Sequence, residues 1–430
     1  KANLEETAAM AGVTGQDIVR CKANLMDMKI SVISSHKISV RAVVLVTVSA
    51  EEIYDREVIK KIEMDNVRDE RLEVRMMKLI ANRKDTFRIR ESVNINQGMS
   101  NIGEIIWQEL RVKDLCFTPA DGRIDVKGNL SFFVIYQGEN GGELNYYDNV
   151  VPFSGSLDIS NGRQEDVYDI NIVSCEKSLI SRNDGNGETR IFDGEIIMSL
   201  DICGYRNEDV SLLTDIYAPG YEITPKTEKL EYERLVENKV VDIDINERIK
   251  NEDGGKIIYT CGDVIVDEII QKDNKVDIEG TISVQIMMED KEAMPPITVS
   301  HHDIPFSYQA GMDKYEKDSE LCGKVNNISL YSKRISDKEI SVNGTIKMEI
   351  MAKSTTTTPV VINADVEKVP KEKLKNIPGI TGYIVKEGDT LWNIAKRFYT
   401  TADSIMEANN LENDMIYPGM KLIILKLYCF

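Results

Sequence analysis

The sequence predicts a mainly β fold, with tandem antiparallel, sandwich-like repeats followed by a small βααβ module. Three features carry that prediction. A glycine-centred stretch recurs, reading RIDVKGNLSFFVIY from Arg123 to Tyr136 and KVDIEGTISVQIMM from Lys275 to Met288, with looser copies from Arg190, Glu339 and Lys37. Apolar and polar residues alternate along each copy, the period of a strand with one buried face. The central positions are Ala42, Gly128, Gly194, Gly280 and Gly344, so the separations alternate between 86 and about 65 residues. Alternation means that the true repeat holds two units and is about one small domain long. The third feature is a change of texture after Met351, where a last strand and a linker lead to a short segment, from Tyr383, with helical spacing.

Composition sets the limits. The chain has 430 residues, 29% charged and 42% hydrophobic, which is globular material with room for about three domains. A net charge of −19 argues against nucleic acid and anionic membrane as partners, both of which need basic surface. No apolar run approaches the ~18 residues of a membrane span, so membrane insertion is not expected. The longest run, Val43 to Val48, reads as a buried strand. Seven cysteines at wide intervals, with no C-x-x-C, fit reduced thiols at core or sheet positions better than a disulfide framework.

In chain order, residues 1–65 carry one unit, centred on Ala42. The interval that follows matches the one after Gly194, so 1–65 reads as the second half of a repeat whose first half lies upstream. Residues 66–224 and 225–368 read as two full repeats. Each opens on a charged, apolar-spaced piece that passes into an alternating strand (Thr86 to Ile95, and Lys239 to Ile245). Each then carries a P-F-S string, Pro152 to Ser154 and Pro305 to Ser307. Turn strings P-A-D-G (119–122), E-N-G-G (139–142), N-D-G-N-G (183–187) and D-G-G (253–255) separate the strands. Residues 369–382 read as a linker.

The segment 383–425 is the most specific. Tyr383 to Lys386 reads as a strand, and Thr390 caps a helix bearing Leu391, Ile394, Ala395 and Phe398 on one face. A second helix runs from Thr401 to Ala408 and stops at Asn409-Asn410; Tyr417-Pro418-Gly419 turns the chain into a last strand. With V-K-E-G-D-T-L-W-N-I-A, A-N-N-L and I-Y-P-G-M-K-L in this order, the segment closely resembles a LysM domain. That resemblance implies recognition of N-acetylglucosamine glycans such as peptidoglycan. It places a shallow groove between Gly388, Asp389, Thr390 and Leu391 on one side and Met415, Ile416, Tyr417 and Pro418 on the other. Trp392 reads as part of the module's own core.

Paired β-units with P-F-S strands, followed by one LysM segment, resemble the clostridial SPOCS-repeat proteins over Lys1 to about Lys368. The resemblance implies a non-enzymatic scaffold of the spore coat, made in the mother-cell cytoplasm and placed on the forespore surface. Its implied partners are the coat's basement ATPase, SpoIVA or a similar protein, other coat proteins, and further copies of itself. The alternative is a cell-envelope or surface-assembly subunit that binds peptidoglycan through LysM. No catalytic, metal or cofactor site is expected. The sequence lacks G-x-x-x-x-G-K-[S/T], H-E-x-x-H and G-x-S-x-G, and the adjacent His301 and His302 fall on opposite faces of a strand.

Overall fold

Strand accounts for 72% of the computed structural model and helix for 5%, with antiparallel pairing, as the alternation demands. It describes residues 7–15, 17–53, 55–250, 255–290, 296–314, 316, 319–370, 372–373 and 376–426. Asp253 and Gly254 of the expected D-G-G turn lie outside these. Strands run in the order β1 (Ile18–Ser34), β2 (Lys37–Glu51), β3 (Arg68–Asn94), β4 (Ile102–Ala120), β5 (Arg123–Gly138), β6 (Leu144–Asp158) and β7 (Val167–Asn183). They continue with β8 (Thr189–Tyr217), β9 (Tyr221–Lys250), β10 (Lys256–Lys272), β11 (Lys275–Glu289), β12 (Ile297–Gly311), β13 (Glu320–Ser336) and β14 (Glu339–Lys368).

The five copies of the glycine-centred stretch are β2, β5, β8, β11 and β14, and each strand starts five residues before its central position. Four of them leave a two-residue hairpin loop, between the pairs Ser34/Lys37, Ala120/Arg123, Lys272/Lys275 and Ser336/Glu339. Gly122 supplies a positive φ of 75° in its loop, a conformation that glycine adopts at little cost. Three-stranded sheets follow in the orders β4-β5-β6, β3-β8-β7, β10-β11-β12 and β13-β14-β9. The strand that opens each repeat therefore lies beside the strand that closes it.

Gly128 pairs with Phe153, and Gly280 pairs with Phe306, so the P-F-S string meets the repeat glycine in both repeats. A Cβ on Gly128 would stand 2.7 Å from the Phe153 ring. One on Gly280 would stand 2.7 Å from the Phe306 ring and 2.5 Å from the carbonyl oxygen of Ile265. Both Gly→Ala changes should cost ~1–3 kcal/mol by overpacking. Adding Phe153→Leu should restore most of the loss at Gly128, whereas Phe306→Leu should not at Gly280, because a carbonyl cannot step aside. Urea denaturation of the two double variants checks the difference.

The chain forms two compact units. The larger comprises Lys1–Tyr54, Lys78–Arg206 and Leu235–Ser354, and the smaller Asp55–Met77, Asn207–Arg234 and Thr355–Phe430. Inside the larger unit each repeat is a sandwich. Ile124, Val126, Leu130, Phe132, Val134 and Tyr136 of β5 pack with Phe192, Ile196, Met198, Leu200 and Ile202 of β8. Val276, Ile278, Ile282, Val284, Ile286 and Met288 of β11 likewise pack with Ile340, Val342, Ile346, Met348 and Ile350 of β14. All of these are essentially inaccessible to solvent. The outer faces of β5 and β10 meet through Phe133 and Tyr259, stacked at 4.3 Å, with Trp107 edge-on to both.

Two expectations differ from what is seen. The opening pieces of the two repeats are not separate short elements. Each is one strand with the sequence that follows it, β3 of 27 residues and β9 of 30. Val43 to Val48 is strand but not buried: Val43, Val44, Leu45 and Val46 are 39–58% exposed, and no sheet among the described residues covers them. The six described cysteines are free and all lie in strands, the sheet positions expected of them, and Cys203 is buried.

Candidate functional site

The helices of the carboxy-terminal module are α1 (Leu391–Phe398) and α2 (Ala402–Asn409), framed by β15 (Ile380–Ile384) and β16 (Lys421–Leu425). β15 thus begins inside the stretch read as linker. Thr390 caps α1, its hydroxyl accepting the Asn393 N–H at 3.1 Å, and Thr401 caps α2 through the Ser404 N–H. Tyr399 and Asn410 end the helices in the left-handed region. Asn409 locks α2 to β16, accepting from the Ile423 N–H and donating to the Ile423 carbonyl, each at 2.7 Å. The core beneath is Val385, Leu391, Ile394, Ala395, Ile405, Leu422 and Ile424.

The two loops named from sequence spring from adjacent backbone. Val385 N–H donates to the Met420 carbonyl, and Gly419 N–H to the Val385 carbonyl. Gly388 sits exposed at φ 83°. Asp389 closes its own loop, accepting from the Tyr383 hydroxyl at 2.7 Å and the Lys386 N–H at 2.8 Å. These two bonds hold its carboxyl below the ordinary range. Leu391 points into the core, and Ile416 is half-buried against it. The accessible apolar surface is instead Met415 at 76% and Tyr417 at 66% exposure, flanked by exposed Pro418. An apolar wall beside a glycine-opened turn suits a neutral acetamido sugar or the centre of a protein contact.

Trp392 has a role that sequence reasoning missed. Its indole Nε1 donates to Asp215 at 2.8 Å, and its ring stands edge-on to Tyr217 at 4.7 Å between centroids. Lys396, one turn along α1, donates to both Asp215 oxygens at 2.7 and 2.9 Å. Tyr217 is only 4% exposed and belongs to the module's core cluster. Burial works to raise the Asp215 carboxyl, but Lys396, Trp392 and the Ile216 N–H outweigh it and hold the group below the usual carboxylate range. The clasp closes on residues at the end of β8, all within the smaller unit. The i, i+4 pairing of a tryptophan and a lysine on one stripe of α1 was the available signal; its acceptor, 177 residues away, was not.

Elsewhere, His301 is exposed and His302 half-buried on neighbouring positions of β12. Among the described residues, no group of three His, Cys, Asp or Glu is placed to hold a metal ion. No helix among them is long and apolar enough to cross a membrane.

The LysM domain family matches residues 383–425, and the SipL, SPOCS domain family matches residues 101–176. The similar curated proteins share only the LysM segment. A "Probable N-acetylmuramidase" of Lactococcus lactis is 48% identical over 44 residues, 10% of each chain. A "Probable endopeptidase p60" of Listeria monocytogenes is 56% identical over 39 residues, 9% of this chain and 8% of its own. A "Probable autolysin SsaALP" of Staphylococcus aureus is 34% identical over 44 residues, 10% of this chain and 17% of its own. The chain thus spans under a fifth of each of these relatives. No solved structure matches.

Proposed function

We propose, from a chain that joins a SPOCS domain to a LysM domain and so resembles the spore-coat morphogenetic protein SipL, that this is a non-enzymatic scaffold of the developing spore coat. It works in the mother-cell cytoplasm and at the forespore surface. Residues 66–224 and 225–368 act as rigid spacers, and the LysM module carries the partner-binding surface, reaching a SpoIVA-like basement ATPase and through it other coat proteins. The observation that supports this reading most is the bare apolar pair Met415 and Tyr417, which fits a protein contact centred on an aromatic anchor.

The second reading, an envelope subunit that holds peptidoglycan in the same groove, is supported by the names of the wall-acting relatives. Two binding assays with the full chain separate the readings. Purified ATPase should be retained, and Met415→Asp with Tyr417→Ala should lower that affinity at least tenfold while leaving the far-ultraviolet spectrum intact. Sedimentation with purified peptidoglycan should be weak. Tight sedimentation with no ATPase retained would transfer the assignment to the envelope.

A further inference from the structure

The β1–β2 hairpin carries an apolar face that nothing among the described residues covers. Register places Val19, Cys21, Ala23, Leu25, Met28, Ile30 and Val32 of β1 directly opposite Ala50, Val48, Val46, Val44, Ala42, Val40 and Ile38 of β2. Directly paired residues share a face, so fourteen side chains form one surface without a charge. Lys22, Lys29 and Arg41 lie on the other face. On the apolar face Val44 is 39% exposed, Val46 51%, Val40 54% and Ile38 64%.

The repeats show what such a face is built to meet. Counting from the central position, Val40, Val44, Val46 and Val48 correspond to Phe192, Ile196, Met198 and Leu200 of β8. They correspond equally to Val342, Ile346, Met348 and Ile350 of β14. Those eight residues are 0–1% exposed, covered by the β4-β5-β6 and β10-β11-β12 sheets respectively. A second vacancy coincides with the first. β8 and β14 are central strands, flanked on their second edge by the opening strands β3 and β9, whereas β2 pairs only with β1 among the described residues. One kind of polypeptide fills both places: an opening strand running into a three-stranded first-unit sheet, in the order of β3 to β6.

We infer that the β1–β2 hairpin is the receiving half of a third sandwich, and that its occupant is a further four-stranded segment of the β3–β6 kind. Both segments of that kind in this structure are already engaged, their inward rows of β5 and β11 being sealed. The hairpin is held ready by its root rather than its face. Arg20 meets Asp169 and donates to the Tyr205 hydroxyl at 2.7 Å, and Tyr205 in turn donates to Glu51 at 2.7 Å. The occupant's inward row should be bulkier than that of β5, since Val40, Val46 and Val48 stand where β8 has Phe192, Met198 and Leu200, and packed layers conserve volume.

The test extends the full chain ahead of Lys1 with a duplicate of residues 66–166. Alkylation of each thiol is then followed by peptide mass. Cys21 lies on the apolar face and is exposed; its rate should fall at least tenfold, with Cys175 and Cys322 unchanged. Amide exchange along 38–50 should slow as the β2 edge pairs. Val44→Asp in the extended protein should restore both. A second extension, duplicating residues 219–313, guards against misfolding of the first. Unchanged Cys21 and amide rates in both extended proteins overturn the inference. So does a dimeric mass for the unextended chain that Val44→Asp reduces to a monomer, since the occupant would then be a second hairpin.

Discussion

Ile346→Ala should lower the stability of the last repeat by ~2–5 kcal/mol, whereas Val44→Ala, at the matching position of β2, should change stability by less than about 0.5 kcal/mol. Ile346 is fully buried against the β11 row, and a large-to-small change there loses transfer energy and leaves a cavity. Val44 already faces water over more than a third of its surface, and substitutions at such sites are nearly neutral. Ile278→Ala belongs with Ile346. Chemical denaturation of the three variants decides the matter. Equal losses at Ile346 and Val44 would mean that the hairpin face is covered in solution. A loss below about 0.5 kcal/mol at Ile278 would mean that its face has been misassigned.

Asp215→Ala should release α1 from the end of β8. The change strands a half-buried Lys396 ammonium and removes the acceptor of the Trp392 indole, and the loss should be ~1–3 kcal/mol after allowance for solvent at a partly exposed pair. Trp392 emission should shift to the red, measured with Trp107→Phe in place so that only one indole reports. The clasp also has a pH signature. The folded Asp215 carboxyl lies below its ordinary value, so its contribution is complete above the unfolded pKa of about 4 and is lost as pH falls through the lower folded value. The same red shift should therefore develop in the Trp107→Phe chain with Asp215 intact on acidification below about pH 4, and adding Asp215→Asn should show it already at neutral pH. An emission maximum indifferent to both changes would show that Trp392 is held by something else.

Much of this architecture was written locally. Alternation and the recurring central position located β2, β5, β8, β11 and β14, because a strand face is a property of neighbouring residues. The module could be read almost element by element for the same reason: Thr390, Thr401 and Asn410 cap their helices through bonds that span three or four residues. Burial was harder. Val44 and Ile346 sit in strands of the same pattern, and only a sheet elsewhere in space makes one of them core. The opening pieces misled because their charged residues break alternation: Arg75, for one, is the cross-strand partner of Asp209, a pairing that local spacing does not show. Trp392 does pack against the module's core, as expected of a large aromatic; its polar edge needed a carboxylate that only the fold brings near.

Along the pair β3 and β8, contacts run from Ser92 with Asp193 through Arg75 with Asp209 to Glu70 with Thr214, partners falling in one strand as they rise in the other. β9 and β14 behave alike, from Asp244 with Thr345 to Lys226 with Asp365. The chain therefore leaves a repeat beside the point where it entered, and Ala218, Pro219 and Gly220 suffice to start the next, with Tyr221 N–H closing the turn on the Ala218 carbonyl. In genetic terms each repeat is a cassette. An in-frame duplication or deletion of about 150 codons would keep this strand connectivity, so the number of repeats can change in single steps wherever the contact between neighbours through Phe133 and Tyr259 is rebuilt.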